Sequence, residues 1–213
     1  MKKILLILLC VPLIFSCGEK EDKVLKLEEK IAYELSQEIE VNDLFLSFEF
    51  GDTEKEVNKK LTELVKEDKI GIDNSSRYFY EFNDPISPGI ATFSFDYYQD
   101  KLYQLTLGVD PKDLSYTTFN FDTPNTNLSL TFFQIRKLYI EKFGDPILID
   151  NILFSEKTVA WSSLHWVKGN RLIEIDLSHD VTIKYIDLNV QSLVENENNK
   201  QKIDLKENMK NDL

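Results

Sequence analysis

From residue 91 to residue 190, apolar and polar side chains alternate in short runs. Phe93, Phe95 and Tyr97 are interleaved with Ser94 and Asp96, and Ile173 and Ile175 with Glu174 and Asp176. A period of two marks strands with one face buried. The pattern predicts strands over 78–82, 91–98, 102–109, 159–167, 171–177 and 181–190, with lead strands over 44–50 and 116–121. Two stretches switch to helical spacing. Thr53-Glu54-Lys55-Glu56 forms a capping box, followed by Val57, Leu61, Leu64 and Val65 on one face. Thr131 with Gln134 three residues on gives a second, followed by Phe132, Ile135, Leu138, Tyr139 and Phe143. That helix is expected to stop at Gly144-Asp145-Pro146. Val24, Leu27, Ile31 and Leu35 mark an amphipathic helix over 23–39, either packed on the domain or acting as a stalk.

Register follows from matching apolar faces across each hairpin. A three-residue loop, Gln99-Asp100-Lys101, sets Phe93, Phe95 and Tyr97 opposite Leu107, Leu105 and Tyr103. A two-residue Gly169-Asn170 turn sets Trp166 opposite Ile173 and Leu164 opposite Ile175. A Ser178-His179-Asp180 loop sets Ile175 and Ile173 opposite Ile183 and Tyr185. Each hairpin then has one apolar and one polar face. The expected fold class is α+β: two β-α-β-β-β units form an antiparallel sheet with helices packed on one face. An N-terminal signal and the amphipathic helix precede it. The globular domain is placed at 44–192, in halves 44–110 and 111–192. The last stretch, 193–213, is rich in Asn, Lys and Glu and reads as a flexible polar tail, at most a marginal helix.

The start of the chain changes this picture. Lys2 and Lys3 precede an apolar run from Ile4 to Phe15. That is the size of a signal-peptide core and too short to span a bilayer. It ends Ile14-Phe15-Ser16-Cys17, which resembles the lipobox of bacterial lipoproteins. The resemblance implies cleavage after residue 16, acylation of Cys17, and a membrane-anchored lipoprotein of the cell envelope. The outer membrane, on its periplasmic or surface side, is the expected site. Residues 17–43 then hold a polar tether, Gly18 to Asp22, and the amphipathic helix.

Composition narrows the partners. The chain has 25 basic and 37 acidic side chains over 213 residues, a formal charge of −12. Losing Lys2 and Lys3 with the leader leaves 23 basic against 37 acidic, or −14. Nucleic-acid binding needs a basic face and is not expected. Cys10 leaves with the leader and Cys17 is alkylated, so no thiol remains for a disulfide, a nucleophile or a metal.

The globular part carries a second resemblance. Gly51, Thr53 and Glu56-Val57 fit the helix start of outer-membrane assembly lipoproteins, with Asp52 at the position of a methionine. A helix followed by an antiparallel meander, occurring twice, resembles the tandem-repeat fold of the β-lactamase-inhibitor protein. Members of that fold bind other proteins and carry out no chemistry, which implies a binding function.

Phosphate-binding, zinc-protease and serine-hydrolase motifs are absent from the sequence. Asp110-Pro111-Lys112-Asp113 reads as a capped turn. His179 falls in a loop. One constellation stands out: His165 on the polar face beside Trp161 and Ser163, with Glu174 opposite and Asp176 next along. Such a group could bind a ligand or metal or move a proton, or form a cross-strand charge pair. Trp161, His165, Glu174 and Asp176 are the candidate binding residues, with no catalytic residue and no cofactor expected. The leading expectation is a non-enzymatic envelope lipoprotein that binds a protein or polymer partner on this face or on the aromatic segment 78–82. The alternative is an immunity or inhibitor lipoprotein that neutralises a basic toxin. An envelope hydrolase using carboxylates ranks third.

Overall fold

The structure is a computed structural model that describes residues 15–82, 89–111, 126–149, 162–177 and 180–211. The leader up to Ile14, the lead strand expected over 116–121, Trp161 and His179 lie outside the described residues.

Helix α1 (Phe15–Ser36) carries the amphipathic pattern and also runs through the segment expected as a tether. Helix α2 (Glu54–Lys66) starts where its capping box requires. The Thr53 hydroxyl accepts from the Glu56 amide at 3.3 Å, and the Glu56 carboxylate accepts from the Thr53 amide at 2.8 Å. The Thr53 amide first, and the Thr53 hydroxyl that also donates to this carboxylate at 2.8 Å, hold the Glu56 carboxyl below the usual carboxylate range. Helix α3 (Thr126–Phe143) begins five residues before the predicted cap, so Thr131 lies inside it. It ends as expected: Gly144 takes φ +82° and its amide donates to the Ile140 carbonyl at 2.8 Å. Helix α4 (Leu188–Asn211) replaces the expected tail and the end of the last predicted strand.

Among the described residues eight strands form two runs, one after α2 and one after α3: β1 (Gly71–Ile72), β2 (Tyr78–Phe82), β3 (Gly89–Tyr98) and β4 (Lys101–Pro111), then β5 (Ile147–Ile149), β6 (Ser162–Lys168), β7 (Arg171–Leu177) and β8 (Val181–Asp187). They form one antiparallel sheet in the order β1-β2-β3-β4-β8-β7-β6-β5. Each half is a helix followed by a four-strand meander, and the halves join edge to edge at β4 and β8. The α+β antiparallel class is as expected. The lead strand at 44–50 is not formed. That segment is a chain of turns with one bridge, Asp43 to Glu49, and Leu46 at φ +58°. Its amides bond internally, Leu44 to the Phe48 carbonyl at 3.0 Å and Phe50 to that of Asn42 at 2.9 Å.

The registers of β6–β7 and β7–β8 match the sequence pattern pair for pair. The β3–β4 hairpin differs at its tip. Phe93 and Phe95 face Leu107 and Leu105 as expected, but Tyr97 pairs with Leu102. The loop has two residues, Gln99 and Asp100, both at positive φ. Tyr103 is the extra residue of a bulge that restores the alternation beyond it.

One face of the sheet is the core. Leu105, Leu107 and Val109 of β4 lie beside Ile173 and Ile175 of β7 and Val181, Ile183 and Tyr185 of β8. Val57, Leu61 and Leu64 of α2 and Phe132, Ile135 and Tyr139 of α3 cover them. Each such aliphatic side chain contributes about 1.5–3 kcal/mol on burial. A second cluster forms on the opposite, outer face. There Leu27, Ile31 and Leu35 of α1 pack on Val167, Leu172, Ile186 and Leu188.

Candidate functional site

The outer face is read row by row across the strands. His165 on β6 faces Glu174 on β7, which faces Lys184 on β8, which faces Thr106 on β4. The next row holds Ser163, Asp176 and Thr182. The structure therefore brings together His165, Glu174 and Asp176 as the register requires. It adds Lys184, which the sequence reading missed. The same β7–β8 register already placed Lys184 opposite Glu174.

His165 differs most from expectation. Only 6% of it is exposed, because α1 lies over β5 and β6 on this side and Ile147 flanks it from β5. Its Nε2 lies 2.6 Å from the Ser163 hydroxyl, while Nδ1 has no hydrogen-bond partner. Burial pushes the imidazole pKa below its usual value; Glu174 opposes that shift and Lys184 adds to it. His165 is thus a neutral, covered side chain rather than part of an open face. The Lys184 ammonium donates to the Glu174 carboxylate at 2.8 Å, with the two side chains 33% and 21% exposed. Asp176 is half-buried, and desolvation first and Glu174 second raise its carboxyl pKa. Among the described residues, no three His, Cys, Asp or Glu side chains stand close enough to share a metal ion.

The row continues onto the first half of the sheet. The Gln104 amide donates to Asp96 at 2.8 Å, and Ser94 is exposed. Beyond them, the Tyr98 hydroxyl donates to Glu197 of α4 at 2.7 Å. From β7 to β3 the outer face is thus a polar, partly solvated platform, bordered by α1 on one side.

Under the turn end of the core face lies a second polar group that the sequence reading did not single out. Arg171 is 5% exposed, yet its guanidinium donates to the Asp43 carbonyl at 2.6 Å and to its carboxylate at 3.0 Å. It also lies over the Phe143 ring at 5.4 Å. The Tyr139 and Tyr185 hydroxyls bond to each other nearby, and the Trp166 indole donates to the Gly144 carbonyl at 2.7 Å. Burial drives the Tyr139 pKa well above the ordinary phenol value and pushes Tyr185 up to about 12. Both phenols stay neutral near pH 7, so the group is suited to clasping the 41–50 segment rather than to acid–base work.

A wide, shallow depression of about 570 Å³ opens beside the start of α2, lined by Thr53, Glu54, Lys55, Asn58 and Asp100. Beside it, Tyr97 is pushed up to about 12, by burial first and then by Glu54, Asp52 and Asp100. The aromatic segment 78–82 turns Tyr78, Tyr80 and Phe82 toward the core, where Phe45 meets Tyr80 edge-on at 5.1 Å.

Comparison of the chain with known proteins gave no matching family model, no matching curated protein and no matching solved structure.

Proposed function

We infer that the chain is a non-enzymatic envelope lipoprotein, held to a membrane through Cys17, that docks a protein or envelope polymer on the outer sheet face. The observation that carries this is the polar platform itself. Glu174, Lys184, Thr106, Gln104, Asp96 and Ser94 lie across four adjacent hydrogen-bonded strands, rigid in register and reachable from solvent. A rigid surface of alternating donors and acceptors loses little conformational entropy when a polar partner settles on it. Among the described residues of this face, the Ser163–His165 pair is shielded, His165 being 6% exposed, and Lys184 is tied to the Glu174 carboxylate. No helix among the described residues is long and apolar enough to cross a membrane.

Two measurements test this. Metabolic labelling with an alkyne fatty acid should mark the wild-type chain and leave Cys17→Ser unmarked and released from the membrane fraction. A photo-crosslinking residue at Ser94 or Thr106 should trap a discrete envelope adduct in cells, and Lys184→Glu should suppress it. The docking reading fails if these positions trap no more than the exposed α2 position Glu63 does.

A further inference from the structure

The geometry points to an end-on stance at a lipid surface, with the sheet end at Phe82, Pro111 and Asp180 toward the bilayer and the Asp100–Gly169 end directed away. This rests on acylation at Cys17, inferred above.

Strands β2, β4, β5 and β7 all finish at one end of the sheet, at Phe82, Pro111, Ile149 and Leu177, where β6 and β8 begin. The turns Gln99-Asp100 and Gly169-Asn170 are at the other end. Helix α1 is fixed in direction against these landmarks. Its last turns dock at the turn end, where the Glu34 carboxylate accepts from the Gly169 amide at 2.9 Å and is itself paired with Lys30 at 2.6 Å. From there, read backward, the helix passes over β6 and β5. Its start, with Cys17, therefore leaves from the strand-end side.

Lengths leave little slack. Val167 to Ser162 spans five strand residues, about 17 Å at 3.3 Å each. A helix covers that distance in about eleven residues at 1.5 Å each. Leu27, Ile31 and Leu35 all pack in the Val167 cluster, so eleven residues before Leu35, at Val24, is the earliest point at which the helix reaches the level of Ser162. Cys17 is seven helical residues further on, at most about 10 Å beyond that level. The part of α1 that remains from Cys17 onward is one continuous helix and cannot fold back to let the body turn over. The −14 charge and the platform are thus presented upright, and the depression at the start of α2 faces away from the membrane.

The mature chain lacks any thiol besides the acylated Cys17, so single labels are unambiguous. Lys101→Cys and Asp180→Cys place a fluorophore at exposed positions on opposite ends, nine strand residues or about 30 Å apart. The acylated protein is reconstituted in phosphatidylethanolamine–phosphatidylglycerol vesicles that carry a nitroxide headgroup quencher. The label at 180 is expected to be quenched several-fold more than the label at 101. A second pair, Asp110→Cys and Asn189→Cys, guards against misfolding of either first variant. A flexible Gly-Ser insert after Gly18 should abolish the contrast without loss of vesicle flotation. Equal or reversed quenching with full flotation overturns the stance alone. Wild-type protein that does not float with vesicles, or Cys17→Ser protein that still does, overturns the acyl anchor and the stance with it.

Discussion

A methyl group placed on Gly169 would collide with the Ile39 carbonyl oxygen, and the residue holds φ +56°. Glycine is the residue that accepts both conditions. Around it the turn binds the 34–41 segment. Its amide donates to Glu34 at 2.9 Å, the Val41 amide donates to the Asn170 side chain at 2.7 Å, and the Leu188 amide donates to the Asn170 carbonyl at 2.8 Å. Gly169→Ala should therefore cost about 1–3 kcal/mol, read as a lower urea midpoint at unchanged slope, and a neutral result would refute the close approach. At the capping box, Thr53→Ala should cost about 1 kcal/mol, and chemical denaturation checks it in the same way. His165 makes a pH prediction. Its folded-state pKa lies below 6.5, so as pH falls from neutral the unfolded chain takes up the proton first. Stability is then lost through and below pH 6.5. His165→Gln should flatten this part of the stability–pH curve relative to wild type, while the loss at lower pH from Glu34 and Asp73, whose pKa values are lowered by hydrogen bonds to Lys30 and to the Arg77 amide, persists. Identical slopes between pH 7 and 5 would rule out a buried neutral imidazole.

At the scale of elements, legibility tracked how local each determinant was. The β6–β7–β8 meander was readable because Trp166, Ile173 and Tyr185 share one face and any slip would expose them all. The same register placed Glu174 beside His165. The burial of His165 was not readable, since the docking of α1 on β5 and β6 joins residues more than a hundred positions apart. The clasp of Arg171, Tyr139 and Tyr185 was hidden for a related reason: an arginine flanking a turn reads as solvated, and only the path of Asp43 buries it. The 44–50 segment misled because Leu44, Phe48 and Phe50 reach the core from turns as well as they would from a strand. Thr131 misled because a capping box needs only four residues, and the helix had already started at Thr126. Helix α1 supplies the prediction at this scale. Ile31→Asp puts a charge among Val167, Leu172 and Ile186, whose burial of an unpaired carboxylate is unfavourable. Helix α1 should detach, and amide exchange should quicken in β5 and β6 while β3 and β4 keep their protection. Uniform acceleration across the sheet would mean instead that α1 is integral to the whole core.

For the molecule as a whole, the decisive contact is the seam between β4 and β8. Leu105, Leu107 and Val109 face Tyr185, Ile183 and Val181 there, all at 2% exposure or less. Each half is an α-β-β-β-β unit that looks complete, yet the middle strands of the core belong to different halves. Separating them would expose these six side chains, about 1.5–3 kcal/mol apiece. That sum matches or exceeds the total stability of an ordinary domain. Near the same seam the Tyr139 hydroxyl of α3 meets Tyr185, and Arg171 reaches back across the chain to Asp43. The two halves should therefore melt in a single transition, with far-ultraviolet dichroism and tryptophan emission coincident and the calorimetric enthalpy equal to the van't Hoff value. The pieces 44–111 and 112–192 expressed apart should each be unfolded, and mixing them should restore structure only in equimolar complex. Two resolved transitions, or one half folding alone, would mean that the repeat of element order is also a repeat of independent domains. The polar platform would then be assembled by docking two preformed sheets, whereas a shared core makes its register, and so the spacing of Glu174, Lys184 and Thr106, inseparable from folding itself.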